Sequence, residues 1–194
     1  LYTGQSDTLR TLYPTDIRGS VTLEGGQNLE DVYQAVESAV QQSGSRVEQQ
    51  YAWRTCSSGK AVSLDENGVL REDNASLNTV QLLGVEDYNR AFGASQVLAE
   101  AEALLWCTGK STLPQTVTFA GHTLAVCPLE GLPEEVEQFY SSYGAYIMVV
   151  SSYEQAAGMM QEFTGKEAGA PKVNLFLNVS GSPAQQQRAC QSLV

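Results

Sequence analysis

Gly144-Ala-Tyr-Ile-Met-Val-Val-Ser-Ser-Tyr-Glu-Gln-Ala-Ala-Gly-Met-Met-Gln-Glu-Phe163 is the stretch that decides the fold. Its residues 145–150 form the most apolar run of the chain and are rich in β-branched side chains, which predicts a strand covered on both faces. Ser151 or Ser152 can cap a helix, because Glu154 and Gln155 each lie three residues beyond one of them. Apolar residues then recur at spacings of three and four, as on one face of a helix: Tyr153, Ala156, Ala157, Met160 and Phe163. The stretch therefore predicts a buried strand that leads directly into an amphipathic helix ending at Gly165.

The N-terminal part predicts a second strand followed by a helix. Residues 16–23 alternate between apolar and polar side chains, which is the period of a half-buried strand. Asn28 is a good N-cap, and the apolar spacing after it predicts a helix that ends at Gly44. A long polar strand is expected over 46–56. Before this unit, residues 1–13 are compatible with a helix that stops at Pro14.

The rest of the chain predicts short strands and three further helices. The sequence Asp65-Glu-Asn-Gly68 indicates a hairpin turn, 77–83 a strand and 85–92 a short helix closed by Gly93. Residues 94–132 predict a β-rich insertion with strands at 96–98, 103–107, 116–119 and 123–129. A helix from Pro133, a strand over 173–179 and a last helix begun by Ser182-Pro183 follow the insertion.

Together these elements predict an α/β (α+β) chain with a ferredoxin-like split βαβ arrangement. Its main lobe would comprise residues 1–93 and 133–194, and 94–132 would form a smaller β-rich inserted lobe.

Composition excludes some classes of partner. The 194 residues carry a net charge of −11, which argues against a nucleic-acid-binding surface and against adhesion to anionic lipid. No segment approaches the roughly 18 to 20 apolar residues that span a bilayer. The chain starts at Leu1 without a Met and stops at Leu193-Val194 on what resembles an unfinished helix. We therefore expect an excised soluble part of something larger.

No catalytic, cofactor-binding or metal-binding residue is predicted. His122 is the single histidine and lies between two predicted strands, so an exposed hairpin position is expected. Gly109-Lys-Ser-Thr112 resembles the end of a phosphate-binding loop, but Leu104 occupies the position of its first glycine and Pro114 follows where a helix should begin. Four carboxylates could be imagined as calcium ligands, namely Asp65, Glu66, Glu72 and Asp73. The remaining ligand positions of an EF-hand loop are missing, however.

Two further sets of side chains allow alternatives. The four cysteines are Cys56, Cys107, Cys127 and Cys190, and they contain no CxxC pair. Buried free thiols are therefore favoured, and two disulfides are the alternative. The aromatic residues fall mostly at strand or helix spacing and are expected in the core, although some could line a ligand groove: Tyr51, Trp53, Trp106, Tyr140, Tyr143 and Tyr146.

Several sequence segments resemble the extracytoplasmic domain of FtsX-like (MacB-type) ABC transporter permeases. Tyr13-Pro-Thr-Asp-Ile17 is similar to the strand that follows the first transmembrane helix in that family. Leu82-Leu-Gly-Val-Glu-Asp-Tyr-Asn89 and Leu98-Ala-Glu-Ala-Glu-Ala-Leu104 resemble two of its later phrases. Tyr146-Ile-Met-Val-Val-Ser-Ser-Tyr-Glu154 is similar to its late strand and helix. The resemblance spans nearly the whole chain.

This resemblance implies a MacB-like periplasmic core domain looped between two transmembrane helices, with a porter-like α/β lobe and both chain ends facing the membrane. It implies the extracytoplasmic face of a cell membrane, a cytoplasmic ABC ATPase and a second permease copy as partners, and an extracellular protein or peptide as a further partner. The expected role is to couple ATPase-driven motion to export or sensing of a substrate, without catalysis and without a cofactor. The longer insertion of antibiotic-sensing members is absent, which argues against peptide sensing.

Two other functions are compatible with the sequence. A free-standing secreted binding or adhesion module would have widely separated chain ends, whereas the permease hypothesis places Leu1 and Val194 close together. A hydrolase would need a deep pocket with two or more carboxylates of perturbed pKa.

Overall fold

The computed structural model of this chain describes residues 2–4, 17–109, 112–181 and 183–193. These residues divide into two compact units: unit 1 comprises Leu1–Arg54 and Ala170–Val194, and unit 2 comprises Thr55–Gly169. Both units combine strands with helices, so the predicted α/β class is confirmed.

The described elements alternate along the chain. The strands are β1 (Tyr2–Gly4), β2 (Ile17–Thr22), β3 (Val47–Ser57), β4 (Val62–Leu64), β5 (Leu70–Glu72), β6 (Thr79–Gly84), β7 (Glu102–Cys107), β8 (Thr116–Phe119), β9 (His122–Pro128), β10 (Ala145–Val150) and β11 (Lys172–Val179). The helices are α1 (Leu29–Gln42), α2 (Val85–Phe92), α3 (Glu134–Tyr143), α4 (Tyr153–Thr164) and α5 (Pro183–Gln191).

Unit 1 has the strand order β1, β2, β11, β3. β2 pairs antiparallel with both β1 and β11. Because α1 connects β2 to β3 while β11 lies between these two strands, unit 1 contains a split βαβ arrangement. All of unit 2 is inserted into this arrangement, between Arg54 within β3 and Ala170 just before β11.

The core of unit 1 lies under α1 and α5. Asn28 begins α1 with a reciprocal capping box: its side chain accepts from the Asp31 amide, and the Asp31 carboxylate accepts from the Asn28 amide. The apolar face of α1 then packs with α5 against β2 and β11, as in Val40, Ala189 and Leu177. The buried Tyr33 hydroxyl bonds to both the amide and the carbonyl of Ala52 on β3. Sequence signals at both ends and along the apolar face thus agree with the observed helix.

Unit 2 is arranged around β10, whose six residues are all buried as predicted. Its strand order is the last residues of β3, then β6, β10, β7, β9 and β8. β10 is parallel to β6 and antiparallel to β7, and β9 is parallel to β7 and antiparallel to β8. The hairpin of β4 and β5 forms around the predicted turn at Asp65-Glu-Asn-Gly68. The core of unit 2 joins the strands to α4, as in Leu105, Met148 and Met159.

Three predictions differ from the structure. Tyr2–Gly4 is a strand instead of part of a helix, because its backbone pairs with β2; residues 5–16 lie outside the described part. The predicted strand at 96–98 is wrong: the side chain of Asn89 bonds to both the amide and the carbonyl of Gln96, so these groups do not enter a sheet. The observed units also follow other boundaries than the predicted lobes 1–93 with 133–194 and 94–132, because β7 pairs with β10 and shares its core.

Candidate functional site

The parallel strands β6 and β10 end side by side, and each leads into a helix. Gly84 ends β6 and is the N-cap of α2, while Ser152 is the N-cap of α4. A Cβ atom at Gly84 would collide with the Tyr153 amide and lie 2.7 Å from the Ser152 carbonyl carbon. The Glu86 carboxylate of α2 accepts a 2.7 Å hydrogen bond from the Tyr153 amide of α4. The glycine therefore allows the two helix starts to approach each other.

The first turn of α4 is bound to the loop that precedes β7. Ser152 caps the helix by accepting from the Gln155 amide at 3.0 Å. The Gln155 side chain accepts from the Ser151 amide and hydroxyl through Oε1, and it donates to the Glu100 carbonyl through Nε2 at 2.7 Å. The N-cap of α4 is thus Ser152, one of the two predicted candidates. Gln155 does not close the predicted capping box onto the Ser152 amide: its Oε1 binds Ser151 instead, and its Nε2 holds a segment 55 residues away.

His122 lies at the start of β9, directly after the turn formed by Ala120 and Gly121, both of which have positive φ. The expectation of an exposed hairpin position is confirmed, since 43% of its side chain is accessible. Its Nε2 atom is 2.8 Å from Glu162 Oε2 on α4, and that carboxylate is itself 57% accessible. This contact joins the hairpin of β8 and β9 to the third turn of α4.

An open cleft of about 680 Å³ lies within unit 2 beside the Gln155 and His122 contacts, and we call it the α4 cleft. Three segments contribute to it: the loop before β7, the start of β9 and the first turn of α4. The lining residues are Glu100, Ala101, Gly121, His122, Thr123, Leu124, Ser152, Glu154 and Gln155.

The α4 cleft is lined by a serine, a histidine and two carboxylates, which are the residue types of a catalytic triad. The Ser152 hydroxyl accepts from the Gln155 amide, and among the described residues no hydrogen bond couples it to His122. A serine nucleophile requires hydrogen-bond contact with its base. The described geometry therefore contains a histidine with a carboxylate partner, but no activated nucleophile.

The carboxylates considered as calcium ligands include a turn residue, Asp65, whose contacts stabilise its own hairpin. The Asp65 carboxylate accepts from the Val69 and Asn67 amides and pairs with Arg71, as expected of a turn residue. These contacts, with the Val69 hydrogen bond as the largest, lower the pKa of Asp65 from its ordinary value. Within the described ranges, no group of three or more His, Cys, Asp or Glu side chains could hold a metal ion. Lys110 and Ser111 of the loop-like motif lie outside those ranges.

The cysteines and aromatic residues also have defined positions. The four cysteines are free thiols; Cys107 and Cys190 are buried, and Cys127 is exposed on β9. Trp53 is buried and stacks on Phe176 with ring centroids 5.5 Å apart. Tyr140 and Tyr146 are also buried, as predicted for core residues, whereas 67% of Tyr143 is exposed. No helix in the described part of the chain has both the length and the apolar character needed to cross a membrane.

Comparisons with known proteins identify no family. The chain matches no protein-family model and no curated protein. It is similar to a solved structure described as a "Putative Lipoprotein from Bacillus anthracis", at 10% identity and a TM-score of 0.38, over 78% of this chain and 81% of that one. At these values the likeness transfers neither fold nor function to this chain.

Proposed function

We propose that this chain is the non-enzymatic extracytoplasmic domain of an FtsX-like ABC transporter permease. In this role it couples the motion driven by a cytoplasmic ATPase to export or sensing of a substrate, or to a partner protein outside the membrane. The sequence phrases given above support the assignment.

The observation that carries the proposal is the way in which the two units share the chain. The first and last described segments, β1 and α5, both belong to unit 1, and unit 2 enters and leaves through the single gap between β3 and β11. Such a layout suits a domain tethered at both ends, with an inserted lobe that can meet a partner. Leu1 and Val194 themselves lie outside the described residues, so their proximity stays a prediction.

Cysteine labelling of the natural full-length product in intact cells tests the location. Cys127 is exposed, Cys56 is half-buried, and Cys107 and Cys190 are buried, so a membrane-impermeant maleimide should label the folded domain chiefly at Cys127. We expect labelling without permeabilisation and its loss in the Cys127→Ser variant. Labelling that occurs only after permeabilisation would contradict an extracytoplasmic domain.

Fractionation of the same product separates the permease from the alternative. The permease hypothesis predicts recovery in the detergent-extracted membrane fraction together with an ABC ATPase. Recovery of the product from the culture medium, without an ATPase, would instead support the free-standing secreted binding or adhesion module.

A further inference from the structure

The turn between β4 and β5 contains the only Asn-Gly pair of the sequence, Asn67-Gly68. The backbone nitrogen of the residue after an asparagine can attack the side-chain carbonyl carbon, and glycine hinders this attack least because it has no Cβ atom. Asn67 is exposed, and its side-chain amide makes no hydrogen bond within the described part of the chain. The side chain that would be attacked is therefore free to move.

The attacking nitrogen, in contrast, is held by the fold. The Gly68 N–H donates to the Asp65 carbonyl at 3.1 Å, and the Gly68 carbonyl accepts from the Thr118 amide at 2.8 Å. The amides of Asn67 and Val69 on either side both donate to Asp65 Oδ1 at 2.9 Å. An intramolecular attack requires that the reacting atoms be aligned and in contact. Because the Gly68 proton is bonded within the turn, it is shielded from base, and the nitrogen is not free to realign.

We propose that Asn67 is a spontaneous deamidation site that the folded hairpin protects and that reacts when the hairpin opens. The Gly68 nitrogen loses its proton to solvent base and bonds to Asn67 Cγ, while the bond from Cγ to Nδ2 breaks and ammonia leaves with a proton from water. Water then opens the cyclic imide at either carbonyl and produces an aspartate or an isoaspartate. Water is the only co-reactant, and nothing in this reaction depends on the permease assignment.

The products prevent the hairpin from closing as before. Isoaspartate adds a carbon atom to the main chain inside the turn, which is closed by a 3.0 Å hydrogen bond from the Asp65 amide to the Val69 carbonyl. Either product also adds a negative charge next to Glu66 and Asp65. Beyond the turn, Leu64 pairs with Leu70, and both belong to the core of unit 2. Deamidation therefore converts a transient opening of the hairpin into a lasting loss of packing.

The test measures deamidation of the purified chain by peptide mass mapping, with an isoaspartyl methyltransferase assay to distinguish the two products. The folded chain is compared in mildly alkaline buffer with the same chain unfolded in guanidinium chloride. In the unfolded chain we expect Asn67 to react fastest, ahead of Asn74, which precedes an alanine. In the folded chain the rate at Asn67 should be at least about tenfold lower, because hydrogen bonds of the turn must open first.

Asp65→Ala tests the link to opening of the hairpin. It removes the acceptor of the Asn67 and Val69 amides, so the folded variant should deamidate at least about fivefold faster than folded wild type. The matched control is Asp73→Ala, which removes the corresponding 2.9 Å bond from the Ala75 amide in the next turn and should leave the rate at Asn67 unchanged. Circular dichroism shows whether each variant is folded.

Guanidinium chloride below the unfolding midpoint tests the same link in wild type, without a substitution. We expect the rate at Asn67 to rise with denaturant, since local opening becomes more frequent. Three results would overturn the proposal. They are equal rates at Asn67 in the folded and unfolded chain, no preference for Asn67 over Asn74 when unfolded, and a folded-state rate that denaturant does not change.

Discussion

Replacing Gly158 by alanine should stabilise the protein. Gly158 lies inside α4, and a Cβ atom built on it meets no heavy atom within 4 Å, so the substitution introduces no clash. A glycine in a helix interior costs about 0.5 to 1 kcal/mol relative to alanine, because more backbone freedom is lost on folding. For a chain of this length, that gain corresponds to a rise in melting temperature of about 1 to 4 °C.

Gly165 provides a matched control on the same helix. A Cβ atom there also meets nothing within 4 Å, but the residue is the C-cap and has a φ of 69°. Alanine in this left-handed conformation costs about 1 kcal/mol or more, so Gly165→Ala should destabilise. Urea denaturation followed by far-UV circular dichroism measures both variants. A lower midpoint for Gly158→Ala, or the same sign of change for both, would refute the argument from helix geometry.

Three further predictions address other contacts. Asn28→Ala removes the capping box of α1 and should cost about 1 kcal/mol of unfolding free energy in urea denaturation. Gly84→Ala should cost about 1 to 3 kcal/mol, because its Cβ atom would press the start of α2 against α4; an unchanged denaturation midpoint would contradict the contact described here. Because the pKa of Asp65 is lower in the folded protein, its carboxylate adds stability above the ordinary pKa of aspartate, and this contribution is lost as the pH falls through the folded-state pKa. Wild type should therefore exceed Asp65→Asn in thermal stability at neutral pH, and the difference should vanish in acid.

Elements with strong local signals could be predicted from the sequence. Asn28 begins α1 and Gly93 closes α2, because caps depend on residues within one turn of the helix end. The buried strand β10 was identifiable from its continuous apolar run, which only a strand covered on both faces requires. The hairpin at Asp65 follows from turn chemistry of the same local kind.

Contacts between distant residues could not be predicted in the same way. The pairing of β7 with β10 decides that 94–132 does not form a separate unit, and it depends on residues about forty positions apart whose local patterns do not specify partners. His122 and Glu162 are likewise 40 residues apart, and an exposed hairpin residue gives no local indication of its neighbour. The α4 cleft is formed by three segments that are distant in sequence: the loop before β7, the start of β9 and the first turn of α4. Its carboxylates could be read from the sequence, but their common location could not.

The insertion of unit 2 between β3 and β11 has a consequence for biosynthesis. Because β11 lies between β2 and β3, the ribosome makes an inner strand of unit 1 only after it has completed every residue of unit 2. The emerging chain can close the core of unit 2 by itself, whereas the edges of β2 and β3 that face β11 stay unpaired until β11 has been made. A stalled or truncated product would therefore present an open strand edge in its N-terminal part. Such an edge can pair with other chains and cause aggregation unless a chaperone covers it.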